Sequence, residues 1–216
     1  MVAITWDELE KRTFENGVDH GVLYIPSETG AYMNGVAWNG LTAVTESPSG
    51  AEASPTYADN IKYINLVSAE EFSATIEAIT YPDEFGQFDG FAEPIPGITI
   101  GQQDRKSFGL SYRTKVGNGL NSEAGYKLHL VYGALAKPSE RAYNTVNESP
   151  EAMALSWELT TTPVPVPGHK PTALLTIDST KVLEADLQAL EAVLYGGTSA
   201  PKLPTPTEVL AMFDTP

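Results

Sequence analysis

Apolar and polar residues alternate with a period of two through most of the chain, which predicts β-strands. In segment 106–116, large apolar residues alternate with serine, arginine and lysine, and a Gly-Asn-Gly turn follows at 117–119. Segment 126–132 then alternates in the same way, as do segments 71–78 and 153–159. Because successive side chains of a strand point to opposite faces, each segment predicts a strand with one buried face.

Segment 61–67 differs, because it is apolar at both sets of alternating positions. A strand that is apolar on both faces is typical of the covered centre of a sheet, so this segment predicts a central strand. Weaker strands fit 22–25, 36–44 and 173–177. Together these segments predict a mainly β protein, an antiparallel β-sandwich or barrel.

One helix is predicted at about 182–195, followed by a Gly-Gly stop at 196–197. Its apolar stripe has the spacing i, i+4, i+7, i+11. The stripe consists of Leu183, Leu187, Leu190 and Leu194.

A second, short helix is predicted from Thr205, because Thr205 and Glu208 have the spacing of a capping box. The proline-rich stretch 200–204 separates it from the first helix. We therefore expect a main domain of residues 1–197 and a tethered C-terminal extension of residues 198–216.

Two long stretches have no regular pattern. Residues 45–60 contain two prolines and little that would form a core. Residues 80–97 contain three phenylalanine rings and one tyrosine ring among acids and prolines, with room for one helical turn. A long irregular stretch in a compact domain is usually functional or mobile.

Composition narrows the possible classes of protein. The chain has 216 residues, 42% of them hydrophobic, a formal charge of −15 and no cysteine. Disulfides and cysteine-ligated metals are therefore excluded, and tight binding to nucleic acid phosphates is disfavoured. No run of about 18 apolar residues is present, and the N-terminus lacks a basic segment followed by an apolar one, so neither a membrane anchor nor a secretory signal is expected.

The charge is unevenly distributed along the chain. Residues 13–104 hold fourteen acids and one base, Lys62, whereas bases dominate 105–127. An ordinary acidic surface is one explanation. The other is complementarity between a basic patch on one copy and an acidic patch on the next, a heterologous contact that builds rings or filaments.

No catalytic or cofactor motif emerges from the sequence. The three histidines, His20, His129 and His169, are far apart and lack the helical spacing of a zinc-binding pair. Adjacent acids such as Asp83-Glu84 point to different sides or into solvent, and neither a phosphate loop nor a Gly-x-Ser-x-Gly elbow is present. We expect no enzymatic activity, no metal and no cofactor.

Seven stretches, taken in order and with their spacing, resemble the major tail protein, or tail tube protein, of long non-contractile-tailed bacteriophages. They cover about residues 15–180. The stretches are GVLY at 21–24, VAWNG at 36–40, YADNIKY at 57–63, TYPDEF at 80–85 with DG at 89–90, FGLSYRT at 108–114, YKLHLVY at 126–132 and WELTTTP at 157–163.

The resemblance implies a structural protein with a β-sandwich or barrel core, a flanking helix and long loops between subunits. Six copies form a ring, and stacked rings form a hollow tube in the virion tail, assembled in the host bacterial cytoplasm. The implied partners are further copies of the chain, the tape-measure protein in the lumen, and the tail terminator and tail-tip proteins. Phage DNA would be met only in transit. Ring closure would also cover strand edges that are a liability in a free monomer.

The resemblance also implies where copies touch. A long loop between early strands reaches the neighbouring ring in these proteins, and 45–60 is the best match. The basic residues are expected at subunit interfaces or outside, because an acidic lumen repels DNA phosphates and a basic one would hold them. The candidate contact residues are Glu46, Pro48, Gly50, Glu52, Pro55, Tyr57, Arg105, Lys106, Arg113 and Lys115.

Two other functions stay open at this point. The chain would equally suit a tube-forming subunit of a phage-derived secretion or gene-transfer particle. A carbohydrate-binding β-sandwich module is a third hypothesis, which would require a platform of surface aromatic rings, whereas Trp6, Trp38 and Trp157 are scattered in the sequence.

Overall fold

Antiparallel β-structure dominates the computed structural model, which describes residues 4–146, 148 and 152–213. The strands are β1 (Phe14–Pro26), β2 (Tyr32–Trp38), β3 (Leu41–Glu46), β4 (Ser49–Gly50), β5 (Ala53–Ala58), β6 (Ile61–Val67), β7 (Glu70–Glu71), β8 (Ser73–Ala78), β9 (Ala92–Ile95), β10 (Ile98–Ile100), β11 (Phe108–Gly117), β12 (Gly125–Ala136), β13 (Leu155–Thr161) and β14 (Leu174–Asp178). The helices are α1 (Glu184–Tyr195) and α2 (Pro206–Phe213), and short 3-10 turns occur at Leu9–Lys11 and Asp83–Gln87. The prediction of a mainly β, antiparallel fold is confirmed.

Eight strands form one antiparallel sheet in the order β2-β1-β11-β12-β13-β8-β3, with β14 also paired to β12. The sheet curls on itself, because Leu41 of β3 packs against Gly21 of β1: a Cβ on Gly21 would lie 2.3 Å from the Leu41 Cδ1. Three further pairs, β4–β7, β5–β6 and β9–β10, stand outside this sheet. The sheet is thus barrel-like, with hairpins projecting from it.

The concave side of the sheet encloses the larger core, which is rich in aromatic rings. Trp157 of β13 is fully buried and meets Trp38 of β2 edge-on at 5.7 Å between ring centroids. The predicted helical turn at 83–87 contributes Phe85, which lies 5.1 Å from Trp157 and 5.5 Å from Phe108. This turn therefore contributes to the larger core, and the prediction of a helical turn within 80–97 is confirmed.

The opposite side of the same sheet carries a second core under the helices. Leu128 and Leu130 of β12 pack there against Leu187, Leu190 and Leu194 of α1. Strands β11 and β12 are therefore buried on both faces over much of their length. The predicted stripe of α1 is correct at three of four positions. Leu183 is the exception, because it precedes the first helical residue and is exposed.

Two strand predictions were partly wrong, one in the bounds of the strand and the other in its burial. Segment 36–44 is not one strand, because Asn39 and Gly40 form a turn between β2 and β3, with Gly40 at φ +79°. Segment 61–67 does form strand β6, but every residue of it is exposed and its one neighbour is β5. It is not a covered central strand of the sheet.

The residues after 197 fold back onto the main domain through position 213. Leu203 forms a β-bridge with Tyr32, and Val209 of α2 is buried in the same cluster as the α1 leucines. The predicted capping box is present, since the Thr205 backbone N–H donates to Glu208 Oε2 at 2.7 Å and the Glu208 N–H donates to Thr205 Oγ1 at 3.3 Å. The expectation of a tethered extension is thus wrong for 198–213, while residues 214–216 lie outside the described residues.

Candidate assembly surfaces

The segment between β3 and β8 is the longest continuously exposed stretch in the part of the chain that the structure describes. Every residue from 45 to 71 is exposed, and most of this stretch is a β-hairpin rather than the irregular loop expected at 45–60. We call residues 51–69 the arm. Its tip is a turn at Asp59 and Asn60 with φ of +51° and +63°, the left-handed region that Asp and Asn tolerate better than most residues.

Within β5 and β6, one face of the arm carries a row of aliphatic side chains and no charged residue. Cross-strand pairs Thr56↔Ile64 and Ser54↔Leu66 place Ile64 and Leu66 together, with Ile61 opposite Ala58 at the tip. The three side chains are exposed by 61% (Ile61), 48% (Ile64) and 58% (Leu66). Because a lone two-stranded hairpin is marginally stable in water, such a surface favours a covering partner.

The base of the arm is held by backbone hydrogen bonds. The Ser47 N–H donates to the Ser73 carbonyl at 2.8 Å, and the Ser73 hydroxyl donates back to the Ser47 carbonyl. Gly50 then pairs with Glu70 between β4 and β7. Gly50 has φ +86°, and a Cβ there would lie 2.2 Å from the Ala69 carbonyl oxygen, so only glycine fits this crossing of the two chains.

Glu46, the last residue of β3, ties the base of the arm to the middle of the sheet. Its Oε1 accepts a 2.7 Å hydrogen bond from the Tyr112 hydroxyl and lies 3.2 Å from His129 Nδ1. The Tyr112 and His129 rings are stacked at 4.7 Å between centroids, which fixes both donors. The His129 contact is the largest cause that lowers the pKa of Glu46, and the Tyr112 hydrogen bond lowers it further against the opposing effect of burial.

The contact residues predicted between positions 46 and 57 all lie at the end of β3 or in the exposed segment that follows it. Pro48 and Gly50 lie at its base, and Glu52, Pro55 and Tyr57 lie along the arm itself, all of them exposed. Glu46 differs from the others because its carboxylate already has partners within the chain. Whether these residues touch another copy stays a prediction.

Arg105 is held inside the subunit instead of projecting from it. Its guanidinium donates to Asp89 Oδ1 at 2.9 Å and to the Ala136 carbonyl at 3.1 Å. Arg141 donates to the other oxygen of Asp89 at 2.5 Å, and the Asp89 side chain is only 4% exposed. Two arginines therefore bind one buried carboxylate and join the segment before β11 to the turn at 83–87 and to the chain after β12.

Arg113 is likewise engaged within the chain, beside α1. Its Nε donates to Asp19 Oδ1 at 3.0 Å, and its guanidinium lies 4.5 Å from the centre of the Tyr126 ring. Burial alone would raise the pKa of Asp19, but the hydrogen bonds from Arg113 and His20 outweigh it and lower that pKa. Arg113 thus stabilises the packing of β1 against β11.

Lys106 and Lys115 are the two predicted basic contacts that remain at the surface. Lys106 is exposed immediately before β11, and Lys115 forms an exposed ion pair with Glu123 at 3.2 Å. An exposed ion pair of this kind contributes little to stability, so both lysines are available to a neighbour.

A second exposed hairpin was missed from the sequence. Strands β9 and β10 pair through Ile98↔Ile95 and Ile100↔Ala92, and all residues from 92 to 100 are exposed. We call residues 92–100 the isoleucine hairpin. Its signal in the sequence was the Pro96-Gly97 turn dipeptide, with Ile95 before it and the alternating Ile98, Thr99 and Ile100 after it.

Two kinds of site are not found among the described residues. No group of three or more histidine, aspartate or glutamate side chains is placed to hold a metal ion in residues 4–146, 148 and 152–213. In the same ranges, neither helix has the length and apolar composition of a membrane span.

Comparison with known proteins finds similarity to solved structures, two of which are described here. No protein-family model matches the sequence, and no curated protein matches it significantly. A chain of the six-fold symmetrised cryo-EM structure of the anti-feeding prophage (AFP) baseplate is 11% identical, over 83% of this chain and 100% of its own, with a TM-score of 0.39. A chain of the PVC sheath-tube complex, from an extracellular contractile injection system in its extended state, is 12% identical over 74% of this chain and 88% of its own, with a TM-score of 0.33. TM-scores this low do not establish a common fold, so the function has to follow from the surfaces of this chain.

Proposed function

We propose that the chain is a structural subunit of a phage or phage-derived tail, which polymerises as stacked six-membered rings into the hollow tail tube. The observation that carries the proposal is the arm, a long hairpin with one aliphatic face that is anchored at its base and exposed along its whole length. The sequence resemblance to tail tube proteins supports the same role.

The arm supports self-assembly because its apolar face needs cover that the monomer does not supply. Exposed hairpins with free edges and apolar side chains promote association with another chain. A contact between the arm of one copy and a different surface of the next is heterologous when the second copy does not return it to the first. Heterologous contacts continue from copy to copy, as the stacking of rings requires.

The charged residues take different roles in this proposal. Arg105 and Arg113 stabilise the subunit, whereas Lys106 and Lys115 are candidates for contacts with neighbouring copies. The net charge of −15 would repel the phosphates of DNA in transit wherever acidic side chains line the lumen. The proposal assigns the chain no enzymatic activity and no cofactor.

The same proposal implies a location and a set of partners. The subunit would lie in the virion tail, after assembly in the host bacterial cytoplasm. Its partners would be further copies of itself, the tape-measure protein, and the tail terminator and tip proteins. A non-contractile phage tail is the form that the sequence resemblance favours, and a phage-derived particle would use the same subunit contacts.

Negative-stain electron microscopy of the purified chain over a concentration series, with light scattering alongside, tests this proposal. We expect hollow tubes or rings with six-fold end views, and a scattering intensity that rises steeply above a critical concentration. A monodisperse monomer at every concentration would contradict the proposal, and glycan-array binding by that monomer would favour the carbohydrate-binding module.

A further inference from the structure

We propose that the aliphatic face of the arm docks on the isoleucine hairpin of a second copy of this chain. The inference rests on the proposed function, because it takes copies to be stacked. It adds the surface that receives the arm, at residues that no sequence pattern had singled out.

The two hairpins leave the sheet at opposite ends of the same strand. The arm enters β8 at Ser73, where Glu46 of β3 is in register with Ala74. The isoleucine hairpin belongs to the segment that leaves β8 after Ala78, the end in register with Leu41. In copies stacked head to tail along the direction of β8, the arm of one copy therefore faces the isoleucine hairpin of the next.

The receiving surface is apolar on one face. Ile95 and Ile98 are a cross-strand pair, and Ile100 lies two residues further along β10, so all three share a face. Each of the three side chains is at least half exposed. The single charged residue of the hairpin, Glu93, accepts a 2.6 Å hydrogen bond from the Gly97 N–H, which holds its carboxylate at the turn.

The face of the arm that we assign to this contact is also aliphatic, like the exposed face of the isoleucine hairpin. Ile61, Ile64 and Leu66 lie on it with small or hydroxyl-bearing partners on β5. Lys62, the one charged residue in β5 and β6, pairs with Tyr57 on the other face, because a bulge interrupts the register between Thr56 and Tyr57. Glu52 is in phase with Ser54 but lies at the base of the arm, so the part of the face near the tip, with Ile61 and Ile64, can meet the isoleucine hairpin without burying a charge.

Charge also argues for a second copy as the occupant. Two copies that each carry −15 repel one another wherever their acidic surfaces approach. Self-association is least opposed where both surfaces are uncharged, and these two aliphatic faces meet that condition. A partner with a basic surface would instead be expected on the acidic regions of the chain.

Disulfide cross-linking tests the contact cleanly, because the chain contains no cysteine. A variant with both Ile64→Cys and Ile98→Cys is assembled, oxidised, and separated on a non-reducing denaturing gel. Each copy then carries one cysteine on the arm and one on the isoleucine hairpin, so we expect a ladder of dimers, trimers and higher multimers. Each single variant should give no ladder. The matched control pairs Ile64→Cys with Leu120→Cys, an exposed residue in the turn between β11 and β12.

The outcomes separate this inference from the proposed function. Intact assemblies with a ladder no stronger than that of the control pair would overturn the inference alone. A wild-type chain that never assembles would overturn the proposed function, and the inference with it. A ladder at least ten-fold stronger than the control supports both.

A second pair of variants decides the matter if the cysteine variant does not assemble. Ile98→Asp places a charge in the proposed contact, and Thr99→Asp places the same charge on the opposite face of β10. We expect Ile98→Asp to stay monomeric with an unchanged circular dichroism spectrum, while Thr99→Asp assembles like the wild type. Assembly of both variants, or of neither, would overturn the inference.

Discussion

The Tyr112 hydroxyl donates a 2.7 Å hydrogen bond to the Glu46 carboxylate, which joins a fully buried residue of β11 to the last residue of β3. Ser47, the next residue, begins the base of the arm. The same carboxylate oxygen lies 3.2 Å from His129 Nδ1 on β12. The exposed arm is therefore anchored to the two central strands of the sheet, so its starting point is fixed although its surface is free.

This anchor predicts a pH dependence of stability in the acid range. The pKa of Glu46 is lowered from its ordinary value of 4.5, so the ionised carboxylate stabilises the folded state fully above that value. The contribution is lost as the pH falls through the lower pKa of the folded state. We expect Glu46→Gln to lower the free energy of unfolding at pH 7, and the difference from wild type to shrink as the pH falls below about 4.5.

Urea unfolding of both chains at a series of pH values from neutral to acid measures this difference. Glu52→Gln is the matched control, because Glu52 is an exposed acid on the arm. A difference that grows as the pH falls would contradict the assigned role of Glu46.

Arg105 and Lys106 are adjacent, but the structure predicts that replacing Arg105 lowers the free energy of unfolding much more than replacing Lys106. Arg105→Met leaves the buried Asp89 with one of its two arginines, so we expect the free energy of unfolding to fall by about 2–3 kcal/mol. Lys106→Met changes an exposed side chain, and we expect a change of less than about 0.5 kcal/mol. Urea unfolding at neutral pH measures both. Equal and small effects would show that Arg105 is a surface residue after all.

Alternation in the sequence predicted the strands that the chain covers by itself. In β8 and β13 the buried positions alternate with more exposed ones, so sequence period and burial coincide. In β11 and β12 the apolar face is buried as predicted, but the other face is buried as well over much of its length, because α1 and α2 pack on that side of the sheet. β6 has an equally apolar sequence, but the prediction that it is a covered central strand was wrong for a physical reason. An apolar strand is favoured either in the centre of its own sheet or against another molecule, and one sequence does not distinguish the two.

The charged contacts were less predictable than the strands. The surplus of bases after residue 104 is visible in the sequence, but the partners that bury Arg105 and Arg113 are brought near by the fold. Asp89 precedes Arg105 by 16 residues, and Asp19 precedes Arg113 by 94. The Arg113–Asp19 contact depends on the register of β1 against β11, and the Arg105–Asp89 contact depends on the packing of two segments outside the strands; a charge pattern encodes neither.

The C-terminal segment is predicted to contribute to the stability of the whole domain. Leu203 is buried against the second core, so Leu203→Ala should lower the free energy of unfolding by about 2–4 kcal/mol. Leu210→Ala is the matched control on the same segment, because Leu210 is 44% exposed, and it should cost less than about 1 kcal/mol. Thermal or urea unfolding measures both. A Leu203→Ala chain as stable as wild type would mean that the segment is detachable.

Gly50 is predicted to matter for assembly more than for folding. Gly50→Ala places a Cβ 2.2 Å from the Ala69 carbonyl oxygen, which should open the β4–β7 pair at the base of the arm. Gly30→Ala is the control, since Gly30 has a similar φ of +81° and no atom within 4 Å of the added Cβ. We expect Gly50→Ala to raise the critical concentration about ten-fold, or about 1.4 kcal/mol per contact, and Gly30→Ala to leave it unchanged. Light scattering measures the critical concentration, and equal values for both variants would contradict the role of the arm base.

The central claim is that a folded domain assembles through its arm, and sedimentation velocity of two chains at matched concentrations tests it most directly. One is the full chain, and in the other an Asn-Gly turn replaces residues 51–69, because Gly50 and Glu70 are already paired across β4 and β7. We predict that the full chain sediments as large polymers and the shortened chain as a monomer with an unchanged circular dichroism spectrum. Polymers of equal size from both chains, or monomers from both, would contradict the account.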